Sequence, residues 1–298
     1  MRLDRLITLG VVQPIQHAIS GSKPAQLPIL MYHSISQGGE NAVSPYYRTA
    51  TCPSVFAEHM ALLHAEGYRV ATLSDGLKAL QSRRNGGGKT VVLTFDDGLR
   101  DFYTGAFPIL RKYGQSASVF LPTAFIGDEP RQFKGQECMT WRDARELRGA
   151  GIEIGSHTVN HPWLYDLGFD EIHAELANSK ATIEDRLGCA CESFAYPYAF
   201  PGADQSFVSR FRDIVIRTGY RCCATTVVGR MKPDDDVYRL KRLPVNSSDD
   251  LALFRAKLEG CYDWLGVPQQ AFKSWKFRFL GSDSRAGRHA ESAAPSGH

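Results

Sequence analysis

Short apolar runs alternate with stretches of helical spacing at least five times along this chain, and that succession constrains its fold more than any other feature. The strand-like runs are Leu27–Tyr32, Tyr68–Leu73, the run opening at Thr90, Ala117–Leu121, the run opening at Ile152, Ser193–Tyr198, Cys222–Val228 and Tyr238–Val245. Between them lie a helix begun by Pro53 with Phe56, Met60 and Leu63 inward, a short helix from Ser74 through Leu80, and a helix over residues 101–113. Further helices open at Thr140 in a capping pattern and run over Phe169–Leu187, Ser206–Thr218 and Asp250–Leu265. Alternation of this kind means α/β, with helices packed on a parallel sheet, either open or closed.

Two strand ends carry the chemistry. Residues 90–98 read Thr-Val-Val-Leu-Thr-Phe-Asp-Asp-Gly, a buried β-branched strand closed by two carboxylates and a glycine. Adjacent strand residues face opposite ways, but a turn lets Asp96 and Asp97 reach one pocket from different angles. Two neighbouring anions repel unless a cation lies close. Residues 152–162 supply what would hold one: an apolar strand followed by His157 and His161, at a spacing used by zinc sites. Pro162 disfavours helical geometry at His161, which places the pair on a loop.

Thr94–Gly98 followed by His-Thr-x-x-His-Pro (157–162) resembles the polysaccharide deacetylases, the NodB-homology carbohydrate esterases of family 4. Phe194-Ala-Tyr-Pro-Tyr198 is similar to that family's aromatic-Pro-Tyr segment. Leu27-Pro-Ile-Leu-Met-Tyr-His33 resembles the first strand of a branch acting on exopolysaccharides. The likeness spans roughly residues 27–245. It implies a distorted (β/α) barrel of about seven parallel strands. It makes Asp97, His157 and His161 the ligands of one divalent metal, zinc by default, with nickel, cobalt or iron also suited to these donors. Asp96 becomes the base that deprotonates the attacking water, kept ionised because the metal neutralises Asp97. The backbone N–H of Tyr198 becomes an oxyanion donor. Tyr196 and Tyr198 either border the sugar or belong to the core.

The chain departs from the family pattern twice. Many members place an arginine where Ala195 stands. Arg242, in Leu240-Lys-Arg-Leu-Pro244, is either its replacement or a surface charge. Many members also carry a Leu-x-His whose histidine protonates the leaving amine. After His173 the next histidine here is His289, in the tail. His33 is then the candidate acid, against a purely structural role. If neither serves, Asp96 carries the proton both ways.

The implied reaction is hydrolysis of N-acetyl groups on an amino sugar of a cell-surface polysaccharide, exopolysaccharide or precursor. A cyclic-amide amidohydrolase, an O-acetyl esterase and an inactive sugar-binding module remain alternatives. A net charge of +3, without a long basic run, argues against nucleic acid as a partner. Seven cysteines, odd in number and without zinc or easy disulfide spacing, point to reduced thiols. Leu6–Val12 is a poor signal-peptide core. A cytoplasmic location follows as the expectation, with the periplasm or envelope as alternative. Leu3, Leu6, Ile7 and Val11 fall on one face of a short helix, expected to pack on its own domain, with peripheral membrane contact through residues 1–20 as the other possibility. Residues 1–26 read as an N-terminal segment and linker, 27–265 as the deacetylase-like domain, and 266–298 as a tail, disordered from about Gly281.

Overall fold

A computed structural model of the chain describes residues 2–19, 25–37, 44–82, 89–266 and 268–269. Most of the linker at 21–26, the glycine turn at Gly86–Gly88 and the tail from Gly281 lie outside the described residues. Ten strands are present among those described: β1 (Ile29–Tyr32), β2 (Arg69–Ala71), β3 (Thr90–Phe95), β4 (Ser118–Leu121), β5 (Gln132–Phe133), β6 (Gln136–Glu137), β7 (Glu153–Ser156), β8 (Ser193–Ala195), β9 (Cys222–Val228) and β10 (Leu240–Pro244). The sheet runs β1-β10-β9-β8-β7-β4-β3, and β3 pairs back to β1, closing a seven-stranded barrel in which every pairing is parallel. β2 stands outside the ring and shares one edge of β3 with β4: it pairs with residues 90–92, and β4 with 94–95. The remaining pair, β5 and β6, is a small antiparallel hairpin in the stretch between β4 and the helix that opens at Thr140.

The period-2 pattern of the strands sorts the core into two clusters. Ile29, Val92, Phe120, Ala195, Ala224 and Leu240, from six different strands, pack together along the barrel axis. Their neighbours Leu30, Leu93, Val119, Phe194 and Cys223 face outward, against the helices. All six residues of β3 are buried, as a strand covered on both faces must be. The helix Pro53–Ala65 has proline in its first turn and buries Phe56, Met60 and Leu63. The helix Phe169–Leu187 buries Ile172, Leu176, Ile183 and Leu187 and stops at Gly188 in the left-handed conformation. Each such side chain contributes about 1.5–3 kcal/mol through removal from water. The span 101–113 begins as a π-helical turn, Phe102–Ala106, and continues as an α-helix, Phe107–Lys112. The final helix ends at Glu259, ahead of a left-handed Gly260.

The N-terminal segment corrects one expectation. Leu3–Ile7, Thr8–Val12 and Gln13–Ala18 form a continuous helix whose middle section is π-helical. It lies along the helix Leu251–Glu259 with its polar side inward. Arg2 reaches Asp249 at 2.7 Å, the Tyr262 hydroxyl donates to Asp4 at 2.6 Å, and Trp264 donates to Thr8 Oγ1 at 3.1 Å. Leu3, Leu6 and Val11 are exposed, and Ile7 is half-buried. The reason is electrostatic. Asp249 is wholly buried, and two cations, Lys257 and Arg2, bind its two oxygens. A buried carboxylate without such partners is costly, so the helix turns its charged side to the barrel.

Candidate active site

β3 delivers two carboxylates to one end of the barrel. Its inward face carries Val92 and Thr94, and Asp96 continues that series toward the axis. The chain then leaves the strand: Asp97 and Gly98 adopt φ of +69° and +60°. A Cβ on Gly98 would lie 3.1 Å from both Ile126 and Leu121, so this turn needs glycine for conformation and for space. The reversed backbone swings Asp97 across the strand mouth.

At the end of β7 the His157 amide still bonds Leu121 O at 2.9 Å. The following loop is tied down by Glu175, whose carboxylate accepts from the amides of Val159 and Asn160 at 2.8 and 2.9 Å. His161 N–H donates to Thr158 Oγ1 at 2.9 Å. The two histidines then converge on Asp97: its Oδ1 is 3.6 Å from His157 Nε2 and 3.1 Å from His161 Nε2. His157 Nδ1–H donates to Ala195 O at 2.7 Å, which fixes the tautomer and aims the Nε2 lone pair at the carboxylate. Burial holds His161 down to about 4, so its imidazole is neutral. Burial raises Asp97, but the two histidine rings beside it outweigh this and hold it below the carboxylate range. Asp97 Oδ1 is buried with no hydrogen-bond donor of its own. All three ligating atoms lie within 4.8 Å of one another. Two imidazoles and one carboxylate, buried and convergent, fit a divalent metal with open coordination positions.

Asp96 has a different partner. Arg242 continues the inward series of β10 from Leu240 and meets it on the axis. Nη1 donates to Oδ1 at 2.7 Å and Nη2 to Oδ2 at 2.8 Å. Arg242 is wholly buried and also donates to Thr225 O and Thr94 Oγ1, at 2.9 and 3.2 Å. The surface-charge alternative for Arg242 is therefore excluded. Burial raises Asp96, and the guanidinium more than reverses this, leaving the carboxyl below its usual range. His33 Nε2 stands 3.9 Å from Asp96 Oδ2 on the other side, with 21 % of its side chain exposed, so its ring faces the site rather than the core.

Five non-glycine residues among those described have positive φ: Asp97, Lys134, Thr158, His161 and Tyr198. Two are candidate ligands, and the others border them. Such conformations cost about 1–3 kcal/mol each and concentrate where a site is over-determined by its surroundings.

Comparisons with known proteins identify the family. The polysaccharide deacetylase family model matches residues 83–222. Over 245 residues the chain is 31% identical to YxkH of Bacillus subtilis (strain 168), a protein carrying that family's name, and the match covers 81% of this chain and 79% of that one. The chain belongs to the polysaccharide deacetylase family. The deacetylase is also 36% identical over 117 residues to the poly-beta-1,6-N-acetyl-D-glucosamine N-deacetylase of Escherichia coli (strain K12), a match covering 36% of this chain and 17% of that one. Among solved structures, the Streptococcus pyogenes deacetylase PplD, in complex with acetate, superposes with a TM-score of 0.69 at 25% identity, over 79% of this chain and 99% of that one. IcaB from Ammonifex degensii shares the fold, with a TM-score of 0.65 at 23% identity over 80% and 97% of the two chains.

The deacetylase separates the two tyrosines that its sequence left together. Tyr196 is 1 % exposed and packs edge-on against Phe200 and Phe211; it is a core residue and does not border the sugar. Tyr198, two residues on and past a positive φ, is 37 % exposed at the rim. Its ring meets His161 edge-on and stacks on Trp163 at 5.2 Å. Trp163 and Lys134 escaped the sequence reading. Lys134, at the hairpin tip between β5 and β6, places Nζ 3.6 Å from Asp97 Oδ2 and 5.0 Å over the Tyr198 ring. The signal available for Trp163 was its place one residue past the His-Pro motif. Lys134 had none, because the hairpin sits in a stretch without strand periodicity.

Proposed function

We propose that this deacetylase removes N-acetyl groups from amino sugars of an exopolysaccharide or its precursor, with zinc held by Asp97, His157 and His161. The observation that carries the reading is the pairing of two separate devices in one barrel mouth: a convergent Asp-His-His set and a neighbouring carboxylate clamped by Arg242. The bound ion supplies Lewis acidity toward the acetyl carbonyl. The chain's own groups do the rest. Asp96, held anionic and oriented by the guanidinium, accepts the proton of the attacking water. The Tyr198 N–H donates to the oxygen on which charge develops. His33 returns a proton to the leaving nitrogen. Trp163 and Tyr198 offer stacked, partly exposed rings for a pyranose face.

The named activity of the Escherichia coli relative supports an N-acetylated glucosamine polymer as the substrate class. A cytoplasmic setting is part of the proposal, supported by seven cysteines that all carry free thiols. The test is incubation of zinc-loaded protein with acetylated amino-sugar oligomers, with acetate and free amine measured together. Equal release of both is expected. Acetate without new amine would make the enzyme an O-acetyl esterase. No acetate from any oligomer, alongside turnover of a cyclic amide, would make it an amidohydrolase of the same fold.

A further inference from the structure

Lys134 stands where a hairpin turn does not favour a lysine. Phe133 pairs with Gln136 across β5 and β6, so Lys134 and Gly135 form a two-residue turn, and both have positive φ, +52° and +76°. A turn with two left-handed residues favours Asn, Asp or Gly at its first position, and a longer side chain is strained there. Packing of the turn does not explain the choice: a Cβ on Gly135 would meet no atom within 4 Å. The residues on either side are fixed to the catalytic loops. Phe133 is buried edge-on against His161 at 5.0 Å, and the Met139 N–H donates to Gly98 O at 3.0 Å. The lysine side chain is thus aimed from a rigid base. Its ammonium lies 4.5 Å from the centre of the Phe133 ring and 5.0 Å from that of Tyr198, and stands 3.6 Å from Asp97 Oδ2. Stability does not account for this ion pair, because the lysine is half-exposed and such pairs contribute little.

The two oxygens of Asp97 therefore face different partners. Oδ1 lies 3.6 and 3.1 Å from the Nε2 atoms of His157 and His161, and Oδ2 faces Lys134. Among the described residues Lys134 is the one lysine or arginine paired with Asp97. A fixed cation on the outer oxygen acts in two ways on an ion that shares the carboxylate. It repels that ion, which weakens binding. It also draws negative charge toward Oδ2 and away from Oδ1, which leaves the bound ion a stronger electrophile.

We propose that Lys134 is a positioning residue for the metal centre: held on the outer oxygen of Asp97, it leaves Oδ1 to the ion, lowers metal affinity and raises the Lewis acidity of the bound ion. This role rests on the metal reading of Asp97, His157 and His161 and is independent of which sugar is the substrate. The test is the zinc dissociation constant of the full chain, measured by competition with a chromogenic chelator at fixed pH, for the wild type, Lys134→Met, Lys134→Arg and His157→Ala. Lys134→Met is expected to bind zinc about tenfold tighter, because a positive charge near the ion is gone. Loss of a merely structural contact would loosen the site and act in the opposite direction. Lys134→Arg, which keeps the charge, should restore the wild-type affinity. In cobalt-loaded protein the visible absorption band should shift in Lys134→Met and return in Lys134→Arg. At saturating zinc, Lys134→Met should lower kcat on acetylated amino-sugar oligomers and leave KM unchanged. Unchanged or weaker zinc binding by Lys134→Met, beside a wild type whose zinc is lost in His157→Ala, would overturn the role of Lys134 alone. A wild type that binds no zinc would overturn the metal reading and this role with it.

Discussion

Arg242 closes a two-pronged fork on Asp96, with both N–H···O contacts at 2.7–2.8 Å and both residues buried, across 146 residues of sequence. The fork does two things at once. It compensates a carboxylate that burial would otherwise neutralise, and it fixes the direction of the oxygens that receive a proton.

Removing the guanidinium therefore has two readable effects. Arg242→Met should destabilise the fold by about 3–5 kcal/mol, the cost of leaving a buried charge unpaired. Because Arg242 lowers the Asp96 pKa, the acid limb of the rate profile should move to higher pH in Arg242→Lys, which keeps a charge but loses the fork. In the wild type, Asp96 contributes stability that is fully present above its unfolded pKa of about 3.9 and is lost as pH falls through the lower folded value. An unmoved acid limb in Arg242→Lys would assign the base to another group.

The two carboxylates should separate under mutation. His157→Ala should lower zinc content and turnover together. Asp96→Asn should retain zinc and lose about 10²–10⁴-fold in turnover. Metal analysis beside the activity assay decides, and loss of zinc from Asp96→Asn would exchange the roles assigned to Asp96 and Asp97.

His33 is set apart by substrate choice. An amide must have its leaving nitrogen protonated, whereas an activated phenol departs largely unaided. His33→Ala should thus impair deacetylation of an N-acetyl sugar strongly and hydrolysis of an activated phenyl acetate little. Equal impairment of both would give His33 a binding or structural role.

Two buried histidines set the acid sensitivity of the metal-free fold. Burial lowers both His161 and His59 to about 4; His59 bonds Asp249 O at 2.8 Å and the Tyr32 hydroxyl at 3.3 Å. Unfolded, each titrates near 6.5. Between about pH 6.5 and pH 4 the unfolded chain holds more protons, so stability is full above the upper value and falls with pH through this window. Thermal midpoints of the metal-free protein across that range test it, and a flat series would show that neither histidine is neutral in the fold.

The sequence alone determined the elements and the reactive strand ends. Apolar runs of period 2 and helical stripes are local properties, so β3, β7, β9 and the helix Phe169–Leu187 were legible where they stand. Asp96, Asp97, His157 and His161 were legible because the turn chemistry around them, Asp-Asp-Gly and His-x-x-x-His-Pro, is equally local. Only the tertiary structure decided what those groups meet. Closure of β1 on β3, past the excluded β2, makes the sheet a barrel, and that closure gives the inward faces of β3 and β10 a common axis on which Asp96 finds Arg242. The same applies to Tyr196 and Tyr198, two residues apart: a strand's alternation alone would send both to one face, and the positive φ at Tyr198 sends the second to the rim. At the N-terminus, periodicity found the apolar face of the helix but could not say which way it turns. Buried Asp249, distant in sequence, decides that by drawing Arg2 inward, because an unpaired charge costs more in the interior than exposed leucines cost at the surface.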